Sequence, residues 1–376
     1  MNITVKEGKT LLVDGPASVT LLSGKADVFG FPLGHVQRVI IRDGKRMPFT
    51  VEETATFEIS LGENSHVEEL DGSSIPQSWN NAYKELAAIP LKPVTALVFG
   101  ASDSGKTSFC TYLTNKLLGE KRKVAILDAD LGQSDIGPPC TIAYTFVSKP
   151  VTDLFNLEVE NAYFVGVTSP SKAVDRVLQG LMLLKREIFN ANPDFIVVNT
   201  DGWVEDEDAI QYKVQLAERI GPDIIFCIQN DKLNPLLAAL KNYRIFTVDS
   251  PSAIKPRSRE KRKSLRELGY IKYLKNAKVQ PIPLNWVKVE NLEQAGLDKN
   301  AMATRTNDEK GLLVALYNGE HKFMGIGIIR EINHARKVMK LFTPVSSGVS
   351  TIVVGKVRLD KNFKEVPPPM PTEDKR

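Results

Sequence analysis

The sequence predicts an α/β chain in three parts: a central parallel sheet covered by helices, flanked by two β-rich ends. Three observations carry that expectation. Residues 1–75 alternate apolar with polar positions and stop at glycine or Asp-Gly, as antiparallel strands do. From Pro93 onward, short apolar runs alternate with helical periodicity, which implies a parallel sheet covered on both faces. After residue 280 the strand character returns. At 376 residues the chain is also too long for one ordinary core, so two or three domains are expected.

The elements follow in order. ITVKEG, TLLVDG, SVTLLSG, ADVFG, QRVIIRDGKRMPF and TFEISLG assign residues 1–78 to an N-terminal β-sandwich. Residues 79–89 read as a short helix ahead of Pro90 and Pro93, and open a central domain over 79–280. There VTALVFG is a buried strand, SGKTSFCTYLTNKLLG a helix ending at Gly119, and KVAILDAD a second strand. AYFVGVTSP reads as a strand, followed by a long amphipathic helix from near Ser169-Pro170 to about Phe189. DFIVVNTDGW, a helix around 208–219, PDIIFCIQN and RIFTVDSP continue the alternation, and a basic run closes the domain at 255–278. LLVALYNG, FMGIGIIREIN, KVMKLFTPV and STIVVGKVRL build a C-terminal β-rich domain over 281–365. The proline-rich end, 366–376, is expected to be a disordered tail.

Composition narrows the function classes. With 42% hydrophobic and 25% charged residues, the chain has the make-up of a soluble globular protein. A net charge of +4 is too small for whole-molecule attraction to nucleic acid, so a basic footprint must be local. Cys110, Cys140 and Cys227 are odd in number, far apart and set among apolar residues, which excludes a disulfide framework and a cysteine metal site. His35, His66, His321 and His334 have no ligand spacing. No apolar run reaches eighteen residues and the start lacks a signal-peptide core, so a cytoplasmic protein with no membrane association is expected.

Gly100-Ala-Ser-Asp-Ser-Gly105-Lys106-Thr107 matches the P-loop pattern in full, between an apolar strand and a helix. The fold class expected is therefore a central P-loop NTPase domain with flanking β domains. Gly100, Ser102, Asp103, Ser104, Gly105 and Ser108 are the cradle, Lys106 reaches the outer phosphates, and Thr107 ligates Mg²⁺. The second lysine of the partitioning ATPases is absent, since Ala101 and Ser102 stand in its place. Asn199 and Thr200 occupy the strand end where water-activating ATPases carry acids. Hydrolysis is thereby disfavoured against transfer to an acceptor.

DADLGQSDIG supplies the second constellation. Residues i and i+2 of a strand point to one side, so Asp128 and Asp130 can both face the loop. One can hold Mg²⁺ through water while the other accepts a proton from an attacking hydroxyl. The competing readings are a solvated turn with capping acids, or a metal role for both. Gln133 could hold the incoming group. Trp203 follows a glycine at a strand's carboxyl end, over the site, where it can stack on a base; packing under a loop is the plainer alternative. Residues 255–278 hold ten Lys or Arg against two Glu, a local basic footprint in an otherwise balanced chain. A guanidinium from that run could stabilise a transferring phosphoryl group, against the plainer reading of a solvated helix face.

GASDSGKT, DADLGQSDIG, GVTSP and TDGW, in that order and spacing, resemble the polynucleotide 5′-hydroxyl kinase family. Its members include the kinase subunit of messenger-RNA 3′-end processing, a ribosomal-RNA-processing kinase and archaeal relatives. The resemblance spans nearly the whole chain and is strongest over 93–270. It implies ATP and Mg²⁺ as cofactors, with the N-terminal β domain helping to hold the adenine; QNDKL at 229–233 is not the guanine-reading motif, which agrees. It implies that Asp130 orients and deprotonates a 5′-hydroxyl, while Asp128 is a metal ligand or structural. It implies that Thr200 to Trp203 form a clasp on the terminal base and that Thr168 contacts the substrate backbone. PRSREKRKSLRELGYIKYL resembles a mobile lid with Arg257, Arg262 and Arg266 at the family's arginine spacing, Arg262 and Arg266 serving the chemistry and Arg257 the substrate.

The activity so implied is ATP-dependent transfer of the γ-phosphate to the 5′-hydroxyl end of RNA, for RNA end processing or repair, with DNA left open as a second acceptor. Two alternatives come from other classes: an ATP-binding, non-catalytic assembly subunit of an RNA-processing complex, and a partitioning or targeting P-loop ATPase. No protein partner can be named from these residues.

Overall fold

The computed structural model describes residues 1–291 and 309–367; most of the tail expected over 366–376 lies outside the described residues. Three seven-stranded sheets follow one another along the chain. The three-part α/β architecture is borne out, with one correction to the central sheet.

The first sheet is organised by a long antiparallel hairpin, Ala17–Val28 against Arg46–Leu61. Register shifts between Leu21 and Ala26 bend it. A Cβ at Gly24, with φ +83°, would lie 2.3 Å from the Thr54 carbonyl oxygen, so the bend needs glycine there. One end of Arg46–Leu61 pairs with Lys9–Asp14 and the other with Asn2–Val5. The inward residues Val19, Leu21, Phe49, Val51, Phe57 and Ile59 share one core.

The central sheet holds β1 (Val94–Phe99), β2 (Val124–Ala129), β3 (Thr141–Val147), β4 (Asn161–Phe164), β5 (Phe195–Thr200), β6 (Ile224–Ile228) and β7 (Ile245–Val248). Their spatial order is β4-β3-β2-β5-β1-β6-β7. Helices α1 (Gln77–Ala87) and α2 (Lys106–Gly119) cover one face, while α3 (Val174–Asn190), α4 (Glu207–Ile220) and α5 (Asn234–Ala239) cover the other. Strand alternation sorts the two cores. Val98, Ile126 and Val197 meet Phe109 and Leu113 on one side, and Leu97, Leu127 and Val198 meet Leu181 and Leu216 on the other. Helix α6 (Arg259–Tyr273) lies within the basic run.

The sheet is mixed, not wholly parallel. β2, β5, β1, β6 and β7 are parallel, but β3 is antiparallel to β2 and β4 antiparallel to β3. The expected strand list had no counterpart of β3. Residues 130–140 between β2 and β3 contain no helix, and without a crossover helix the chain can only return antiparallel. β4 then runs in the same sense as β2. It delivers residues 165–170 to the sheet edge that carries Asp130.

The third sheet contains Lys278–Pro283, Lys288–Asn291, Leu312–Tyr317, Phe323–Asn333, Val338–Thr343, Thr351–Leu359 and Glu365–Val366. It docks beside β4, where the Lys356 amide donates to the Gly166 carbonyl at 2.9 Å and the Phe164 amide to the Tyr317 hydroxyl at 2.8 Å. The first sheet is tied to the central domain by Arg42, which reaches Asp135 and Asp153, and by Lys45, whose Nζ lies 2.9 Å from Asp135 Oδ2. Burial pushes the Asp135 carboxyl up, but Lys45 and Arg42 override it and hold it well below the usual range.

Candidate active site

The carboxyl edge of the parallel strands opens into a cavity of about 780 Å³. Its floor is the loop between β1 and α2. A Cβ at Gly100 would lie 2.6 Å from Ser104 Oγ, and Gly105 enters α2 with φ +97°, so both positions need glycine for the loop to close. Ser102 to Ser108 line the cavity, with α2 directing its N-terminus into it. Lys106 is almost fully buried, and its Nζ donates to the Ala101 carbonyl at 2.7 Å. Burial brings its pKa down to about 8, opposed by the charge of Asp130.

Two polar atoms of this cradle are buried without a partner among the described residues: Ser104 Oγ and Arg262 Nε. Such orphans are costly unless a ligand satisfies them, and both fit phosphate oxygens. The Thr107 hydroxyl lines the same cavity and receives the Asn199 amide at 3.4 Å, which leaves a lone pair for a Mg²⁺ carried by the phosphates.

Asp130 stands at the end of β2 on the cavity wall. Its Oδ1 accepts from the amides of Gly132 at 3.1 Å and Gln133 at 2.9 Å, which fixes the carboxylate. Its Oδ2 has no protein hydrogen bond among the described residues. Burial raises the Asp130 pKa, Lys106 opposes the rise and Asp201 adds to it. A carboxylate held by one oxygen and raised towards neutrality is suited to accept a proton.

Asp128 is placed differently from the expectation that both acids face the loop. It is fully buried and does not line the cavity. Its Oδ2 accepts from the Asp135 amide at 2.8 Å and its Oδ1 from Asn199 Nδ2 at 3.0 Å. Burial, with Asp130 and Asp135 adding, lifts its pKa to about 7. The geometry gives Asp128 the work of holding the 130–137 turn. Asn199, read from the sequence only as the absence of an acid, bridges that carboxylate to Thr107.

Other expected residues divide in the same way. Thr168 lines the cavity, and so does Trp203, half-buried, with its indole stacked on Tyr212 at 5.7 Å. Gly202 sits directly on the loop, where a Cβ would come 2.5 Å from Ser102 Oγ. Thr200, by contrast, is fully buried and donates to the Val98 carbonyl at 2.7 Å, pinning β5 to β1. Gln133 lines the cavity, yet its amide already donates to the Arg262 carbonyl at 3.0 Å, so it holds α6 as well as facing the site.

Helix α6 closes the cavity and is anchored at both ends. Arg262 Nη2 and the Arg257 amide both donate to Asp103 Oδ2, at 2.8 and 3.0 Å. Arg266, expected to act on the phosphoryl group, instead makes a paired contact with Glu365, 2.8 Å on each oxygen. Its guanidinium is committed to the third sheet, although the residue also lines the cavity. Glu365 had no signal in the sequence, being 99 positions from its partner. Lys213 did have one. Ala209, Tyr212, Lys213, Leu216, Ala217 and Ile220 are the buried face of α4, and a lysine at that spacing stands where an apolar residue belongs.

Residues 100–276 match the family described as mRNA cleavage and polyadenylation factor CLP1 P-loop. They resemble a CLP1-type P-loop domain. The resemblance drawn from the four motifs is borne out by this match and by archaeal relatives. The polyribonucleotide 5′-hydroxyl-kinase of Thermococcus kodakarensis is 29% identical over 73% of this chain and 91% of its own. The polyribonucleotide 5′-hydroxyl-kinase of Methanocaldococcus jannaschii is 28% identical over 73% and 90%. A chain of the solved wild-type Clp1p–Pcf11p (454–563) complex has the same fold as this one, with TM-score 0.75 at 13% identity, over 95% of this chain and 97% of that one. A nucleotide-binding role for the loop follows. No helix among the described residues is long and apolar enough to cross a membrane.

Proposed function

We propose that this chain is an ATP-dependent polynucleotide 5′-hydroxyl kinase that acts on RNA ends in the cytoplasm. The observation that carries the reading is Asp130: one oxygen tied to its own turn, the other unpaired, on the wall of the cavity that also holds Lys106 and Trp203. An ATPase needs no stacking platform beside its phosphate cradle, and a scaffold needs no unpaired carboxylate. The kinase names of the archaeal relatives support the same activity.

In the mechanism that follows, Asp130 Oδ2 takes the proton of a 5′-hydroxyl as its oxygen attacks the γ-phosphorus. The bond from that phosphorus to the β–γ bridging oxygen breaks, and ADP leaves. Lys106 and Arg262 hold the charge spread over the transferring group, while Trp203 carries the terminal base. A Mg²⁺ held by Thr107 and the phosphates would supply further neutralisation. The aliphatic residues of the same cavity that offer a surface to the adenine are Ile75 of the N-terminal side, Pro251 and Ile254.

The deciding assay gives γ-labelled ATP and short 5′-hydroxyl RNA or DNA to the wild type, Lys106→Ala and Asp130→Asn. Label on RNA, lost in both variants, is the expected result. Free phosphate with unlabelled RNA would point to an ATPase, and neither product to an assembly subunit. The DNA arm reports whether the site senses the 2′-hydroxyl.

A further inference from the structure

Lys213 is a charged side chain with no solvent exposure, and the chemistry above makes no use of it. Its Nζ donates to Asp201 twice, to Oδ2 at 2.8 Å and to the backbone carbonyl at 3.0 Å. The ammonium also lies 5.0 Å from the Tyr212 ring centre and 5.4 Å from that of Phe99. Breaking such a buried pair leaves an uncompensated charge, so the contact is rigid.

What the pair holds is the clasp. Asp201 Oδ1 accepts the Trp203 amide at 2.9 Å, and Oδ2 accepts the Tyr212 hydroxyl at 3.0 Å. Tyr212 in turn carries the indole, with 24° between the planes. The indole edge is held as well, since Nε1 donates to Asp206 Oδ2 at 2.6 Å. The other oxygen of Asp206 caps α4 by accepting the Ala209 amide at 2.8 Å. Backbone, one ring face and the ring edge are thus all fixed by the first two turns of a single helix.

We propose that α4 is a pre-organised mount for a single-stranded RNA end, with Asp206, Tyr212 and Lys213 as positioning residues that hold the Trp203 indole ready to stack on the terminal base. The guest's identity rests on the kinase reading. A ring already ordered loses little freedom when a base arrives, so the ordering cost of binding falls. Because every base offers a π-face, such a mount accepts any terminal nucleotide.

The test uses a fluorescein-labelled single-stranded 5′-hydroxyl RNA, with anisotropy for affinity and steady-state kinetics alongside. Lys213→Met leaves Asp201 buried and unpaired and endangers folding, so two gentler changes carry the experiment. Asp206→Ser keeps a capping oxygen for α4 and removes the acceptor of the indole; Tyr212→Leu removes the platform. Asp206→Ser is expected to weaken RNA binding about threefold and Tyr212→Leu about tenfold. The loss should fall on the RNA Kd and KM, not on kcat or on the KM for ATP, and neither change should weaken binding further in a Trp203→Ala background. Equal losses with and without Trp203, or losses shared by ATP, would overturn the proposal, as would a wild type that does not bind RNA. Should the wild type bind RNA but transfer no phosphate, the kinase reading fails and the mount is still decided by the binding data.

Discussion

Arg262 Nη2 lies 2.8 Å from Asp103 Oδ2, so the helix that closes the cavity is tied to the phosphate cradle itself. Its Nε is buried with no acceptor among the described residues. One arginine therefore has a fixed end and an unsatisfied donor, on a residue that lines the cavity. Arg262→Ala is expected to lower kcat by about a hundredfold, in the range of losing one transition-state donor. Arg262→Lys should recover little of it, because an ammonium lacks the fork that spans two acceptors. A kcat within a few-fold of wild type, in single-turnover labelling, would count against this role.

Arg266 belongs to a different group of contacts. Its guanidinium meets Glu365 through both oxygens, and the Tyr270 hydroxyl reaches the same carboxylate at 3.0 Å. Removing one partner of a largely buried pair costs about 3 kcal/mol. Arg266→Ala and Glu365→Ala should each lower the urea midpoint by a similar amount, with the double variant far from additive. Labelling by the folded fraction should be much less affected than in Arg262→Ala.

Lys106 gives a pH signature. Its folded pKa, about 8, lies below the ordinary 10.5 because burial disfavours the ammonium. Between those two values the unfolded chain binds more protons than the folded one, so stability rises with pH across that window. Below pH 8 both states are protonated and the difference is flat. Relative to Lys106→Met, the wild type should gain on the order of 3 kcal/mol between pH 8 and 10.5 in nucleotide-free buffer, as read by urea melts. Saturating ATP should shrink that gain, since phosphate charge favours the ammonium.

The particular residues explain what was legible in the sequence. The cradle could be read because a P-loop is local: its glycines, lysine and threonine act within eight positions. The parallel strands could be read because full burial leaves continuous apolar runs. β3 was missed since its run lies between two prolines and Pro150, and its direction depends on what the preceding turn lacks. Thr200 and Arg266 were assigned by motif, but a motif does not say which way a side chain leaves the backbone. Thr200 turns into the sheet, towards Val98. Arg266 turns to a glutamate that only the folded chain brings near. Asp128 and Asp130 look alike as letters, and differ because the 130–137 turn consumes one carboxylate and exposes the other.

Gly202 offers the most direct check that cradle and clasp form one site. A Cβ there would lie 2.5 Å from Ser102 Oγ and 2.6 Å from its backbone nitrogen and Cα, distances that real side chains do not tolerate. Two of those three atoms are backbone, so a rotamer change of Ser102 cannot relieve the clash. Gly202→Ala must push the loop and the Asp201–Trp203 segment apart. Since Ser102 belongs to the phosphate cradle and Trp203 follows Gly202 directly, ATP and RNA affinities should fall together, each by about tenfold or more. Ser102→Ala would not restore either, because the backbone contacts remain. If Gly202→Ala weakened RNA binding alone and left ATP binding intact, cradle and clasp would be separable units, and in-line transfer between them would lose its geometric basis.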